Sequence, residues 1–368
     1  MSGSSVSGSP ARGSTFARGA ALVLLGFGAF QATAAALRAI TPWPEDYGLR
    51  PKRDWFVERK DQFDILFVGS SRMFRGIDPR IVDAELARAG VAGEHGPLRS
   101  FNFGVGGMLR FESAYVLDEL LAEKPARLRV VVMEGEAWDP TTDFLKNTWS
   151  SRSVFWHDWE RTRLALHSVA LVDLSPTERL ERSWLHLQLC GMKLFNMGQG
   201  ARIVTNLLGE SRDPFQRSLT HEQIAVAAGY QPYEDFMAPG PTTWEAMLTN
   251  DPGHGIEIQD RVRGGNERAP DLAHYNVTAL EGQKARVHAA GATFVVLLNP
   301  GDQGAPEERA LAERGDVEHL LDYNRPDLYP GYWAPKARID DFHLSRTSAE
   351  ELSKAVAAEL ARILRPGG

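Results

Sequence analysis

The stretch Asp64-Ile-Leu-Phe-Val-Gly-Ser-Ser-Arg72 decides the fold. Four apolar residues, Ile65 to Val68, run unbroken into Gly69 and a pair of serines. An uninterrupted apolar run closed by glycine is the pattern of a strand buried on both faces of a parallel sheet. In open α/β sheets the loops at the carboxyl ends of such strands hold the ligands. A helix is predicted over 79–89, with Asp78 as N-cap, Pro79 at the first helical position and Gly90 as the stop. Ser70 and Ser71 are therefore expected on a strand-to-helix loop at the rim of the sheet.

Outward from this stretch, strand and helix patterns alternate. Strands are predicted over 98–103 and 128–133, with a helix over about 111–122 between them. The alternation lapses after Trp138-Asp-Pro140 and resumes with a helix over 277–290, a strand at Thr293–Leu298 and a short strand near Leu320–Tyr323. A last helix runs from Thr347 to about Leu364, with capping-box spacing at Thr347 and Glu350 and an apolar stripe of Leu352, Val356, Leu360 and Ile363. The expected fold class is α/β, a three-layer parallel sheet flanked by helices. Residues 140–270 interrupt it with helix-like runs at about 158–172, 177–192 and 196–208, and with Trp149, Trp156, Trp159, Trp184 and Trp244. This largely helical insertion reads either as a lid above the strand ends or as a structural cap.

Near the carboxyl end, Asp340-Asp-Phe-His343 precedes the last helix. An Asp three residues ahead of a His on a loop can fold back to hold the imidazole. It then fixes the tautomer, while the other ring nitrogen takes a proton from a serine hydroxyl. A neutral imidazole with a reference pKa of about 6.5 suits general-base work near neutral pH. Asp341 beside it can cap or face water.

Gly69-Ser70-Ser71 resembles the first motif of the SGNH (GDSL-type) hydrolases, and Asp340-x-x-His343 resembles their last. Asn102-Phe-Gly-Val-Gly-Gly107 resembles the second block, in which an Asn is followed five residues on by an oxyanion-hole Gly. The third block, Gly-x-Asn in the family, departs here: Gly135-Glu136-Ala137 puts Ala137 at the Asn position. The Gly-Ser-Ser form is more similar to membrane-anchored members that work with membrane-bound O-acyltransferases, among them the D-alanyl-lipoteichoic-acid transfer and alginate O-acetylation proteins. The resemblance covers about 60–135 and 270–364. It implies a serine esterase or O-acyltransferase acting on a cell-surface glycan or lipid through an acyl-serine, with a membrane-bound O-acyltransferase as partner. It also implies Ser71 as nucleophile (Ser70 being the runner-up), His343 and Asp340 as its relay, and Ser71, Gly107 and Asn102 at the oxyanion hole. The missing third-block Asn leaves a second reading open, a non-catalytic glycan- or lipid-binding scaffold for such an acyltransferase.

Around this set, Arg72 and Arg75 read either as an anion-binding pair or as solvated surface. Trp156 and His157, in Phe155-Trp-His-Asp-Trp159, are candidates to line a sugar or acyl site, though a lone His without a partner in spacing is more often structural. His254, His274, His288 and His319 show no metal-ligand pattern, and no metal or cofactor is expected. Cys190, the only cysteine in 368 residues, excludes an intrachain disulfide and reads as a small buried hydrophobe. A net charge of −7 gives no general electrostatic reason to bind nucleic acid.

The amino terminus carries an address. Residues 1–18 are expected as a disordered cytoplasmic tail, Ser/Gly-rich and bearing Arg12 and Arg18. Gly19 to Leu37 is uncharged, and as a helix it is about 28 Å long, near the ~30 Å hydrocarbon core. A transmembrane anchor over 19–39 follows, with the basic side inside and the body exported across the bacterial inner membrane. A cleaved signal peptide at Ala32-Thr-Ala34 is the alternative. Residues 40–60 read as a charged linker with Trp43 in the interfacial belt, and 61–368 as the catalytic body.

Overall fold

The computed structural model describes residues 11–40, 43–44, 48–135, 151–197, 219–237, 240–271 and 275–365. Five parallel strands form one sheet: β1 (Ile65–Gly69), β2 (Ser100–Gly104), β3 (Val130–Glu134), β4 (Thr293–Leu298) and β5 (His319–Asp322), in the order β2-β1-β3-β4-β5. β1 pairs in register from Ile65↔Ser100 to Gly69↔Gly104 on one side and from Ile65↔Val130 to Val68↔Met133 on the other. Between and around the strands lie α1 (Ala11–Ile40), α2 (Leu49–Arg59), α3 (Ser71–Gly76), α4 (Pro79–Arg88), α5 (Arg110–Ala122), α6 (Ser151–Trp156), α7 (Trp159–Leu171), α8 (Pro176–Leu194), α9 (His221–Ala227), α10 (Thr243–Asn250), α11 (His254–Glu267), α12 (Tyr275–Ala289), α13 (Pro306–Glu313) and α14 (Arg346–Leu364).

All five positions of β1, β2 and β3 are buried. Because successive strand side chains alternate between faces, Leu66, Val68, Val131 and Met133 join the core on the α5 and α12 side. Ile65, Phe67, Val130 and Val132 join that of α4 and α14. The molecule is thus α/β with helices on both faces of a parallel sheet. The final helix buries Leu352, Val356 and Leu360 as its spacing predicts, whereas Ile363 is only partly covered.

Three expectations are corrected. The interval from the serines to the helix at 79–89 is not an open loop: α3 starts at Ser71, and Ser70 is its N-cap, accepting from the Arg72 N–H at 3.2 Å. Part of the expected linker is α2, which buries Leu49, Lys52 and Phe56 against the body. Trp43 belongs to the core, its ring 4.9 Å from Phe155, because an indole enclosed by Phe103 and Phe155 loses more apolar area than it would at a bilayer surface. One helix, with the apolar stretch Phe16–Ala39, is long and apolar enough to be a membrane span or a signal sequence.

Candidate active site

The carboxyl ends of β1, β2 and β3 meet at Ser71. Gly69 is required there, since a Cβ on it would lie 2.5 Å from the Glu134 carboxylate. Gly104 is required too: a Cβ on it would come 2.3 Å from the Phe74 nitrogen, so only glycine lets α3 sit down on β2.

Ser71 Oγ lies 2.8 Å from His343 Nε2. His343 Nδ1 lies 2.8 and 2.9 Å from the two carboxylate oxygens of Asp340. With the carboxylate accepting from Nδ1–H, Nε2 is the basic nitrogen and the hydroxyl of Ser71 donates to it. Burial pushes the Asp340 carboxyl up, but hydrogen bonds from His343 and from the Phe342 and His343 N–H groups more than offset this and hold it below the usual carboxylate range. Ser70 turns the other way, its Oγ donating to Glu134 at 3.0 Å and its N–H to the same carboxylate at 2.5 Å. The three residues expected to form a relay are brought together, and Ser71 is the serine that reaches the imidazole.

Residues that sequence reasoning passed over frame this run. Tyr233 packs on the His343 ring with centroids 5.1 Å apart, and Phe342 flanks it at 6.4 Å. Arg338, fully buried beside Trp244 and Trp333, donates to the Asp340 carbonyl at 3.2 Å and to the Asp341 carbonyl. Burial lowers its guanidinium to about 10, which leaves it charged at neutral pH. The loop closes on itself through Ile339 N–H to the His343 carbonyl, 2.9 Å, so Asp340 and His343 are presented from a braced turn. Asp341 pairs with His254 at 2.8 Å. Only the charge at the end of the apolar run Val130-Val-Val-Met-Glu134 and the Arg338-x-Asp340 spacing hinted at these roles in the sequence.

No family model matches the sequence, and no curated protein matches it.

Several candidate residues turn out otherwise placed. Asn102 is fully buried, and its amide donates to the Met73 and Ile77 carbonyls at 2.8 and 2.7 Å while its oxygen accepts from Gly104 N–H at 2.7 Å. Every strong hydrogen-bonding direction of that side chain is used to splint α3 onto β2, so it is not an oxyanion donor. Arg72 is buried and its Nε donates to Glu134 at 2.7 Å, in an ion pair with both side chains nearly inaccessible. Arg75 is buried against Phe74 and Tyr233 and donates to the Gln231 carbonyl at 3.2 Å. Neither arginine is a solvated anion site.

Gly107 sits in a turn at φ +64°, the left-handed region that glycine adopts without strain. Among the described residues nothing accepts its N–H. Ser71, as the first residue of α3, likewise has an N–H without an intrahelical acceptor. Arg152 of α6 braces this turn: it donates to the Gly106 carbonyl at 2.6 Å and holds Glu112 with two bonds, at 2.8 and 2.7 Å.

Trp156 and His157 do not line an open site. Trp156 is buried against Phe111, and His157 is enclosed with Nδ1 on the Ser153 carbonyl and Nε2 2.9 Å from His186. Phe155, Trp156 and His157 are drawn into the core, whereas Trp159 at the start of α7 is 65% exposed. Ala137 and Trp149 lie outside the described residues.

Proposed function

We propose that this protein is a membrane-anchored, extracytoplasmic serine esterase or O-acyltransferase of SGNH type, acting on acyl groups of a cell-surface glycan or lipid. Support comes from one observation above all: the continuous hydrogen-bonded run from Ser71 Oγ through His343 to Asp340, 2.8 Å at each step. A serine hydroxyl is a poor nucleophile unless a base takes its proton as it attacks. In this mechanism Ser71 Oγ bonds to the ester carbonyl carbon and its proton passes to His343 Nε2. The N–H groups of Ser71 and Gly107 face the developing oxyanion, each worth a few kcal/mol as a rule. Collapse releases the alcohol, which leaves with the proton from His343. A second hydroxyl, from water or a sugar, then resolves the acyl-serine by the same steps in reverse. Asp340 holds the imidazole tautomer and balances its transient charge. The partner consistent with this reading is a membrane-bound O-acyltransferase.

The experiment is fluorophosphonate labelling of the full chain in detergent, with the adduct located by mass spectrometry. The expected adduct is on Ser71 and disappears in Ser71→Ala and His343→Ala. A folded protein that takes no label, or keeps it in Ser71→Ala, overturns the catalytic reading in favour of a binding scaffold.

A further inference from the structure

Helix α8 carries apolar side chains on two faces, one against the core and one turned away from it. Leu180, Trp184, Leu187 and Leu194 fall at i, i+4, i+7 and i+14, on one face, with Gly191 between the last two. That face points outward: the four side chains are 71%, 60%, 40% and 72% exposed. The opposite face carries His186, which is buried on His157, and Lys193, which donates inward to the Phe155 carbonyl and lies 3.9 Å from the Tyr115 ring centre. The inward face thus combines these polar groups with fully buried Leu189 and partly covered Leu185 and Met192, while the outer apolar stripe runs along about 21 Å of helix. Phe195 and Met197, just beyond its end, are exposed as well. Soluble surfaces seldom leave a contiguous apolar stripe uncovered.

What covers it follows from where α8 ends. The Phe195 ring meets Phe27 of α1 with centroids 6.2 Å apart. Arg38 reaches the Lys193 carbonyl at 3.3 Å and Asn196 Oδ1 at 3.1 Å. Phe27 lies near the middle of the apolar stretch Phe16–Ala39, about 18 Å along the helix from Ala39. A residue touching Phe27 therefore lies at hydrocarbon depth whenever α1 spans a bilayer with a core of ~30 Å. Polarity along α8 follows the same gradient. Its first turn holds the exposed capping box of Ser175 and Glu178, and its far end presents Leu194, Phe195 and Met197.

We propose that the outer stripe of α8 is a membrane-docking surface. Its carboxyl end enters the acyl-chain region of the leaflet facing the body, beside α1, and Trp184 lies toward the headgroups, where indoles partition. The occupant is lipid. This rests on α1 being a membrane span and is independent of the acyl-transfer chemistry.

The test uses the full chain, carrying Cys190→Ser, in nanodiscs of phosphatidylcholine and phosphatidylglycerol at one copy per disc. Single cysteines at Leu187→Cys, Leu194→Cys, Glu181→Cys and Leu24→Cys carry an environment-sensitive fluorophore. Quenching is read against nitroxides on the acyl chains or headgroups and against aqueous iodide. Position 194 is expected to follow position 24, quenched by acyl-chain nitroxide, with iodide quenching several-fold weaker than at 181. Position 187 should respond to the headgroup nitroxide, and 181 to iodide alone. If 187 and 194 respond to iodide as 181 does while 24 stays in lipid, the span stands and the docking surface is overturned. Iodide access at position 24 removes the span and the docking with it. Shielding of 187 and 194 from both quenchers means that protein covers the stripe, which overturns the lipid assignment. Melting temperatures of the labelled variants, expected to match the parent because these side chains are exposed, exclude misfolding as the cause of any outcome.

Discussion

Asp340 lies at the far end of the relay, and its carboxylate accepts from the His343 ring and from two backbone N–H groups. Its depressed pKa means that this network stabilises the fold above the ordinary carboxylate pKa. The contribution is lost only as pH falls below that value and through the lowered one. In Asp340→Asn the amide no longer enforces the productive tautomer. We expect kcat, and the rate of fluorophosphonate labelling, to fall by ~10³–10⁴-fold with the fold intact. Glu134 tests a different support. Its carboxylate holds the Ser70 N–H, the Ser70 hydroxyl and Arg72, and so fixes the backbone on which Ser71 stands. Glu134→Gln takes a negative charge from beside buried Arg72 and sets an amide donor against a donor. The expected loss of stability is ~3–5 kcal/mol in a denaturant titration, with kcat reduced more than KM is raised. Of this level, the ordered Gly-Ser-Ser and Asp-x-x-His motifs made Ser71, with Ser70 beside it, His343 and Asp340 legible as candidates. It did not separate a donor facing substrate from one facing the backbone, and Asn102 shows why. An Asn within a strand serves either purpose until its neighbours, the Met73 and Ile77 carbonyls, are known.

At the scale of elements, α6 and α8 are joined by two imidazoles. Desolvation, with the neighbouring charge of His186, pushes His157 well below its ordinary value, and desolvation with Arg182 nearby lowers His186 to about 4. Both rings are neutral in the fold: His157 Nδ1–H donates to the Ser153 carbonyl, so its Nε2 accepts from His186 Nδ1–H. Groups with depressed folded pKa bind fewer protons than in the unfolded chain. Stability is full above about 6.5 and falls as pH drops toward 4, by about 3 kcal/mol for His186 alone. His186→Gln keeps a donor for His157 and removes one titration. Its stability, measured by thermal melting from pH 7.5 to 4, is expected to fall less steeply than that of the parent. A parallel decline would mean that protonation of His186 does not contribute to the loss of stability in this range. The helices themselves were legible from periodicity: runs at 158–172 and 177–192 became Trp159–Leu171 and Pro176–Leu194. Which face of each turns inward was not, since the leucines of α8 have helical spacing whether they meet core or lipid.

For the whole molecule, Trp43 and α2 draw the chain tightly from α1 into the body, where the sequence read a charged tether. Gln31, Ala34 and Arg38 of α1 are partly covered, so the body is held close to α1 rather than ranging over a long linker. On the acyl-transfer reading proposed above, with α1 in the bilayer, such confinement would raise the effective concentration of membrane-bound acyl donors. Replacing residues 1–38 with a cleavable signal is expected to leave fluorophosphonate labelling of the released domain unchanged while glycan or lipid acylation in cells collapses. Full restoration of acylation by the released domain would make the anchor incidental. The sequence alone determined the parallel α/β sheet, the helix-strand alternation, the apolar amino-terminal helix and the order of the chemical residues. Each is written in contiguous patterns of hydrophobicity and capping. Only the tertiary structure decided which serine meets the imidazole, what Asn102 and Arg72 bind, and which side of α8 is bare. Those outcomes depend on contacts between distant segments, such as Ser71 with His343 across 272 residues, where local propensity carries no information.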